Sequence, residues 1–282
     1  MRFFSPAKVN LFFRVLRKRD DGYHDIASLY QAIDLCDTLY IQLSHQDHLF
    51  CDHPSLRTDD SNLVLKAVQL FRKKTGLSFH VKIELYKLIP LEAGLGGGSS
   101  NAATTLWALN CLTGYPVSTS DLASWSGELG SDVPFFFSQG TAYCTGKGDL
   151  FKSLANLSFL SGKKLWIAKP SYGLSTPSVY KACDLSLFPS RDPEMILTDF
   201  MEGRPQYFND LEFPAFSLKP ELKILRQTLL SLGFLSVTLT GSGTAFFCLG
   251  PLTLKPRLDD IEFYETKPLS RDEGHWYKTI AV

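Results

Sequence analysis

Several short stretches of this chain carry residue types that do chemistry, at spacings that ask for a reason. One is Pro90-Leu-Glu-Ala-Gly94-Leu-Gly-Gly-Gly-Ser-Ser100. Glycines in such a run let the backbone approach a ligand without Cβ obstruction and supply positive φ where a turn needs it. An Ala/Leu-rich segment from about Ser99 to Leu112 follows, stopped by Gly114 and Pro116, so the run opens a helix. Unpaired N–H groups at a helix start, backed by the macrodipole, attract anions. The Ser99 and Ser100 hydroxyls can cap the helix, hydrogen-bond phosphate or reach a metal. The familiar phosphate motifs do not fit. Ser99 stands where a P-loop has lysine, and also where the dinucleotide fingerprint has its third glycine. A second turn, Thr240-Gly-Ser-Gly-Thr244, reads alone as an ordinary glycine hairpin. It gains meaning if it packs beside the first.

Lys8 lies in an otherwise apolar strand, with Asn10 two residues on and therefore on the same face. A lysine there either snorkels to the surface or is held in a pocket for an anion. Asp132, between Gly130-Ser131 and Val133-Pro134, is either a turn former or a general base facing a cleft. Tyr23-His24 offers ring faces for stacking and polar edges for hydrogen bonds, suited to a heterocycle or sugar, or is a plain surface loop. Tyr180 is equally suited to a core. The segment His45 to His53 concentrates three His, one Cys and two Asp, but no structural-zinc spacing fits, and it reads as a solvated loop.

Elements must position these groups. Phe3–Leu16, Thr38–Leu43 and Ser78–Tyr86 read as strands, and Leu63–Thr75 as a helix capped by Ser61 or Asn62 and stopped by Gly76. Another helix is expected from Ser118–Ser120 to about Leu129. After an irregular stretch at 153–163 come a strand (Lys164–Lys169), helices at Pro177–Cys183, Glu194–Met201 and Pro220–Leu232, and a strand pair, Ser236–Thr240 and Ala245–Leu249. The mixture lacks a regular β-α-β-α beat and indicates α+β. The 282 residues suit one large domain or two medium ones. With 29 Lys+Arg against 29 Asp+Glu, no basic excess marks a nucleic-acid or membrane-surface binder. No apolar run approaches the ~18 residues of a membrane span; the best, Val133–Phe137 and Ala245–Leu249, are strand-sized. Six scattered cysteines read as reduced thiols of a cytoplasmic protein.

Taken together, Pro6-Ala-Lys8-Val-Asn10-Leu, Gly22-Tyr-His24, the Pro90–Ser100 run, Gly130-Ser-Asp132-Val-Pro-Phe-Phe136 and Thr240-Gly-Ser-Gly243 resemble the GHMP kinase superfamily, in the family's order, up to about Leu249. The last thirty residues resemble nothing nameable. The resemblance implies a two-domain α+β GHMP kinase fold. Residues 1–155 would form an S5-like N-terminal domain and residues 156–282 a ferredoxin-like C-terminal domain, with the active site between them. It implies ATP, Mg²⁺ and transfer of the γ-phosphoryl group to the 2-hydroxyl of a cytidine-diphosphate-linked methylerythritol in isoprenoid precursor synthesis by the non-mevalonate route. No nucleic acid, membrane or obligate protein partner is expected. By the same resemblance Asp132 is the general base and Lys8 its cationic partner. Pro90, Gly94, Leu95, Gly96, Gly97, Gly98, Ser99 and Ser100 hold ATP phosphates, with Asn62 near adenine. Asn10, Tyr23, His24, Tyr180 and, more weakly, Lys147 contact the substrate; the metal ligands are unassigned. A GHMP kinase for another small alcohol, or a nucleotide-binding module without catalysis, are the competing readings.

Overall fold

The chain runs β1 (Arg2–Lys18), β2 (His24–Ser44), β3 (His48–Cys51), α1 (Leu63–Thr75), β4 (His80–Tyr86), α2 (Gly97–Leu112), α3 (Thr119–Ser126), β5 (Thr141–Thr145) and β6 (Leu150–Ser153). It continues with β7 (Leu165–Pro170), α4 (Thr176–Lys181), α5 (Pro193–Met201), β8 (Phe208–Asn209), α6 (Glu212–Leu218) and α7 (Pro220–Ser231). The last strands are β9 (Ser236–Leu239), β10 (Phe246–Leu249), β11 (Ile261–Thr266) and β12 (Thr279–Ile280). This is the computed structural model of the chain, and it describes residues 1–277, 279 and 280. The α+β class read from the sequence is the class the chain adopts.

β1 and β2 form one long antiparallel hairpin from Arg2↔Tyr40 to Lys18↔His24, with irregularities at Pro6/Ala7, Asn10/Phe12 and Val15/Arg17. Both faces of this hairpin are covered, so its sequence is near-continuously apolar rather than alternating. That is why only the Thr38–Leu43 end of β2 showed a strand period. On one face, Phe3, Leu39 and Ile83 of the sheet meet Phe71 of α1 and Ala103 and Leu106 of α2. On the other, Val9, Leu11 and Leu29 meet Ile167 and Phe247 of a second sheet. That second sheet, ordered β11-β7-β10-β9, is antiparallel throughout. Its far face carries Val237, Phe246 and Phe263 against Leu222, Leu225 and Leu229 of α7.

Three segments depart from the sequence reading. The strand-sized apolar run Val133–Phe137 holds a 3₁₀ turn at Pro134–Phe137, because Pro134 presets helical φ and all four side chains are buried. Within the His45–His53 segment, His48–Cys51 is an edge strand parallel to β4 rather than loop. Asp47 and Asp52 there hold Arg72 and the Lys87 N–H. Thirdly, the chain beyond Thr266, assigned to the second domain, returns to the first sheet. The Leu269 N–H donates to Ala32 O at 2.8 Å and Trp276 stacks on Trp107. β8 crosses too, pairing in parallel with β1 at Phe12↔Phe208. Among the described residues no cysteine is in a disulfide. Among the described residues no helix is long and apolar enough to cross a membrane.

Candidate active site

The Pro90–Ser100 run becomes a loop that ends in the first turn of α2. Gly96 is the N-cap, left-handed at φ 69°, and no side chain caps the helix. A Cβ on Gly96 would lie 3.1 Å from both Lys8 Cγ and Phe136 Cζ, so a side chain there would press on both as well as strain the left-handed φ. The first-turn N–H groups at Gly97, Gly98 and Ser99 belong to residues that line the cleft, the donor set an anion needs. The second glycine turn lies directly against the first: a Cβ on Gly94 would fall 1.9 Å from Thr240 O, and one on Gly243 2.1 Å from Gly94 N. The two turns touch backbone to backbone.

Lys8 is 2% exposed and does not snorkel. Its ammonium donates to Asn10 Oδ1 at 2.8 Å and lies 3.4 Å from Asp132 Oδ2. Asn10 is held in turn: its Nδ2 donates to Ser28 Oγ at 3.0 Å, and Thr240 Oγ1 donates to its Oδ1 at 3.2 Å. Asp132, on the turn before the 3₁₀ segment, keeps a side chain 32% exposed toward the cleft. A fixed cation beside a partly open carboxylate, next to an anion cradle, is the equipment for taking a proton from a bound hydroxyl while stabilising negative charge.

Tyr23, His24, Lys147 and Tyr180 line the other end of the same cleft. The His24 and Tyr180 rings stack with centroids 5.2 Å apart, and His24 Nδ1 is buried without a hydrogen-bond partner. Burial, and secondarily the Lys18 charge, lower the His24 pKa from its ordinary value, favouring a neutral ring. Tyr23 is 56% exposed, with the Lys147 ammonium 4.9 Å from its ring centre. An orphan ring nitrogen beside aromatic faces suits a flat heterocycle.

Pro90, Gly94, Leu95, Gly96, Gly97, Gly98 and Ser99 line the cleft; three other expected contacts are turned away. Ser100 is fully buried and accepts from Ser5 Oγ at 2.8 Å, because its position in the first turn points it at β1. Asn10 is also fully buried and serves Lys8 instead of the substrate. Asn62 caps α1, accepting from the Val64 N–H at 2.9 Å, and its neighbour Leu63 reaches the cleft. Other residues at the site escaped the sequence reading. Tyr30 donates to Asp132 Oδ1 at 3.0 Å. Lys87 pairs with buried Asp37 beneath the cradle, where a Cβ on Gly97 would lie 3.3 Å from its Nζ. Asn209 donates to Leu239 O and Gly241 O, both at 2.8 Å, fixing the second glycine turn. Only the paired register and the chain crossing bring these to the site, and neither leaves a local sequence signal.

The cleft measures about 1110 Å³, above the ~300–1,000 Å³ of a single small-molecule pocket, and has room for two ligands end to end. The uncapped glycine turn fits nucleotide phosphates by donor type. Among the described residues no cluster of three His, Cys, Asp or Glu forms a metal nest. A Mg²⁺ that keeps its waters and rides on phosphate oxygens fits without one.

Residues 62–140 match the family described as GHMP kinases N terminal domain, and residues 185–260 match GHMP kinases C terminal. The chain is 50% identical over 281 residues to the 4-diphosphocytidyl-2-C-methyl-D-erythritol kinase of Protochlamydia amoebophila, covering 99% of this chain and 94% of that protein. It is 40% identical to the chloroplastic kinase of the same name from Oryza sativa subsp. japonica, over 99% of this chain and 73% of that one. A crystal structure of 4-(cytidine 5'-diphospho)-2C-methyl-D-erythritol kinase superposes with a TM-score of 0.74 at 38% identity, covering 88% of this chain and 90% of that one. A crystal structure of mevalonate kinase shares the fold at 15% identity, with a TM-score of 0.64 over 96% of this chain and all of that one.

Proposed function

The chain belongs to the GHMP kinases, in the branch of the 4-diphosphocytidyl-2-C-methyl-D-erythritol kinases, and we propose that Asp132 and Lys8 are its catalytic pair. It is an ATP-dependent phosphotransferase acting on a cytidine-diphosphate-linked methylerythritol in isoprenoid biosynthesis. The observation that carries the residue assignment is the 3.4 Å approach of buried Lys8 Nζ to cleft-facing Asp132 Oδ2, beside the glycine cradle.

ATP, when bound, supplies the electrophilic γ-phosphoryl group. The first-turn N–H groups of α2 and the Ser99 hydroxyl hold its phosphates, and Ser99 is the cradle side chain suited to reach a Mg²⁺ carried on them. Asp132 accepts the proton of the substrate's 2-hydroxyl, and Lys8, oriented by Asn10, offers positive charge to that oxygen. His24, Tyr180 and Tyr23 hold the pyrimidine, with Lys147 beside the diphosphate. The cradle and base thus come from residues 1–155, and Tyr180 and the second glycine turn from the part that follows.

The test is ADP release with ATP, Mg²⁺ and the cytidylyl substrate, alongside mevalonate, homoserine and galactose. Turnover with the cytidylyl substrate alone is expected. Asp132→Asn should lower kcat roughly 10²–10⁴-fold, about 3–5 kcal/mol, with ATP binding kept. Near wild-type turnover in that variant would remove Asp132 from the role. ATP binding without turnover on any alcohol would favour a non-catalytic module.

A further inference from the structure

We propose that Tyr30 is a positioning residue for the general base, its hydroxyl fixing the rotation of the Asp132 carboxylate so that Oδ1 is engaged and Oδ2 is left for the acceptor hydroxyl. The inference rests on the assignment of Asp132 as base. A carboxylate's terminal torsion is broad and roughly two-fold, so an unanchored Asp presents either oxygen to its surroundings. Here the Tyr30 hydroxyl donates to Oδ1 at 3.0 Å while Lys8 faces Oδ2 at 3.4 Å.

The phenol is itself immobilised. β2 places Tyr30 opposite Asn10 of β1, which puts it on the face that carries Lys8. Its ring meets Phe135 edge-on at 5.2 Å, and the Lys8 ammonium lies 4.7 Å from the ring centre. Gly148, at φ +100°, closes the same edge of the carboxylate: a Cβ there would sit 3.3 Å from Tyr30 Oη and 3.6 Å from Asp132 Oδ1. The Oδ1 side is thereby filled by the chain, and the cleft side stays open. Phenylalanine would fill the same volume and keep the ring contacts, and a buried hydroxyl costs stability unless it is paired. The hydroxyl therefore has its use in the bond to Asp132.

The ionisable groups around this carboxylate come from several elements. Lys8 faces it from β1, Tyr30 from β2, Cys144 from β5 and Tyr180 from α4. Burial raises the Cys144 thiol and both phenols, Asp132 adding to each, so these three stay neutral beside the carboxylate. On the adjoining turn, Lys147 is directed at the Tyr23 ring and Asp149 accepts from the Lys147 N–H.

The experiment measures kcat, both KM values and the pH profile of kcat for Tyr30→Phe, Asp132→Asn and the double variant. Tyr30→Phe is expected to lower kcat about tenfold, as a misplaced catalytic group does, with both KM values changed less than about twofold. The acid limb of its kcat profile should move to higher pH, because a donor to the ionised carboxylate is gone. That limb does not depend on how much of the variant is folded. In the Asp132→Asn background, Tyr30→Phe should cost nothing further. Wild-type kcat with an unmoved acid limb in Tyr30→Phe would overturn the role of Tyr30 and leave Asp132 as the base. A full additional loss in the double variant would also overturn it, since the hydroxyl would then act elsewhere. Undiminished turnover of Asp132→Asn alone would overturn the base assignment itself.

Discussion

At the scale of single residues, His24 links burial to the proposed recognition of the pyrimidine. Its ring is stacked on Tyr180, its Nδ1 has no partner, and its lowered pKa follows mainly from burial and then from Lys18. A neutral ring can offer that nitrogen to a pyrimidine; a protonated one brings a charge into a desolvated place. Replacing His24 by Ala is therefore expected to raise KM for the cytidylyl substrate about tenfold, leaving kcat and the KM for ATP near wild type. A collapsed kcat at unchanged KM would contradict the recognition role. The same lowered pKa fixes a sign for stability. As pH falls below about 6.5, the unfolded chain takes up the proton before the folded one, and folding stability declines. His24→Phe, which keeps the stack, should flatten the fall in thermal midpoint between pH 7 and pH 5. The sequence offered Lys8 as a candidate because it is a charge within an apolar strand, and Asp132 because it sits on a glycine turn before an apolar run; what the fold adds is that their side chains come within 3.4 Å. Tyr30 was not legible, since nothing local distinguishes a tyrosine that bonds a carboxylate from one that merely fills a core.

At the scale of elements, the two glycine turns are one construction. Gly94 has φ +78° and, like Gly243, has the opposing backbone where a Cβ would be. Gly94→Ala combines left-handed strain of roughly 1–2 kcal/mol with overpacking of roughly 1–3 kcal/mol. A loss of about 3 kcal/mol is expected for it by denaturant unfolding, with weakened ATP binding as the turns part. Gly98→Ala is the contrast: its φ is not left-handed and the nearest atom to a new Cβ is Leu63 Cδ1 at 3.5 Å. It should stay within about 0.5 kcal/mol of wild type. Equal losses in both would mean that backbone contact at Gly94 is not what matters. α1 was readable to the residue because both its ends are marked: it starts after Asn62 and stops at Gly76, both visible as letters, whereas α3, capped by Ser118, ends at Ser126 rather than near Leu129. β5, β6, β11 and α6 were not readable, being short, edge-placed or without periodicity. The Ser100 side chain was misplaced for a related reason, because helix phase relative to β1 decides which of two adjacent serines faces the ligand.

At the scale of the molecule, the returning C-terminal segment braces the part of the chain that carries Asp132. Arg271 is buried, donating Nε to Ser138 O at 2.7 Å, Nη1 to His275 O at 2.5 Å and Nη2 to Phe137 O. Phe137 and Ser138 end the 3₁₀ turn that begins two residues after Asp132, so these bonds satisfy carbonyls that the turn leaves open. The guanidinium also lies 5.5 Å from the Trp107 ring centre and 5.6 Å from those of Trp276 and Tyr277. None of this was visible in residues that resembled no known motif, because the contacts to Trp107, Phe137 and Ser138 span more than a hundred residues of chain. Arg271→Ala removes the donor from buried Phe137 O, leaves Ser138 O only the longer bond from the Tyr277 hydroxyl, and frees the part-buried His275 O, and a loss of about 3 kcal/mol is expected. For a chain of this size that lowers the thermal midpoint by roughly 6 °C, accompanied by a change in tryptophan emission as Trp107 and Trp276 lose their cover. Arg271→Lys keeps the charge but cannot span carbonyls in three directions with one ammonium, and should recover only part of the loss. A midpoint unchanged in Arg271→Ala would show that the packing of Trp276 on Trp107 holds the segment without the guanidinium.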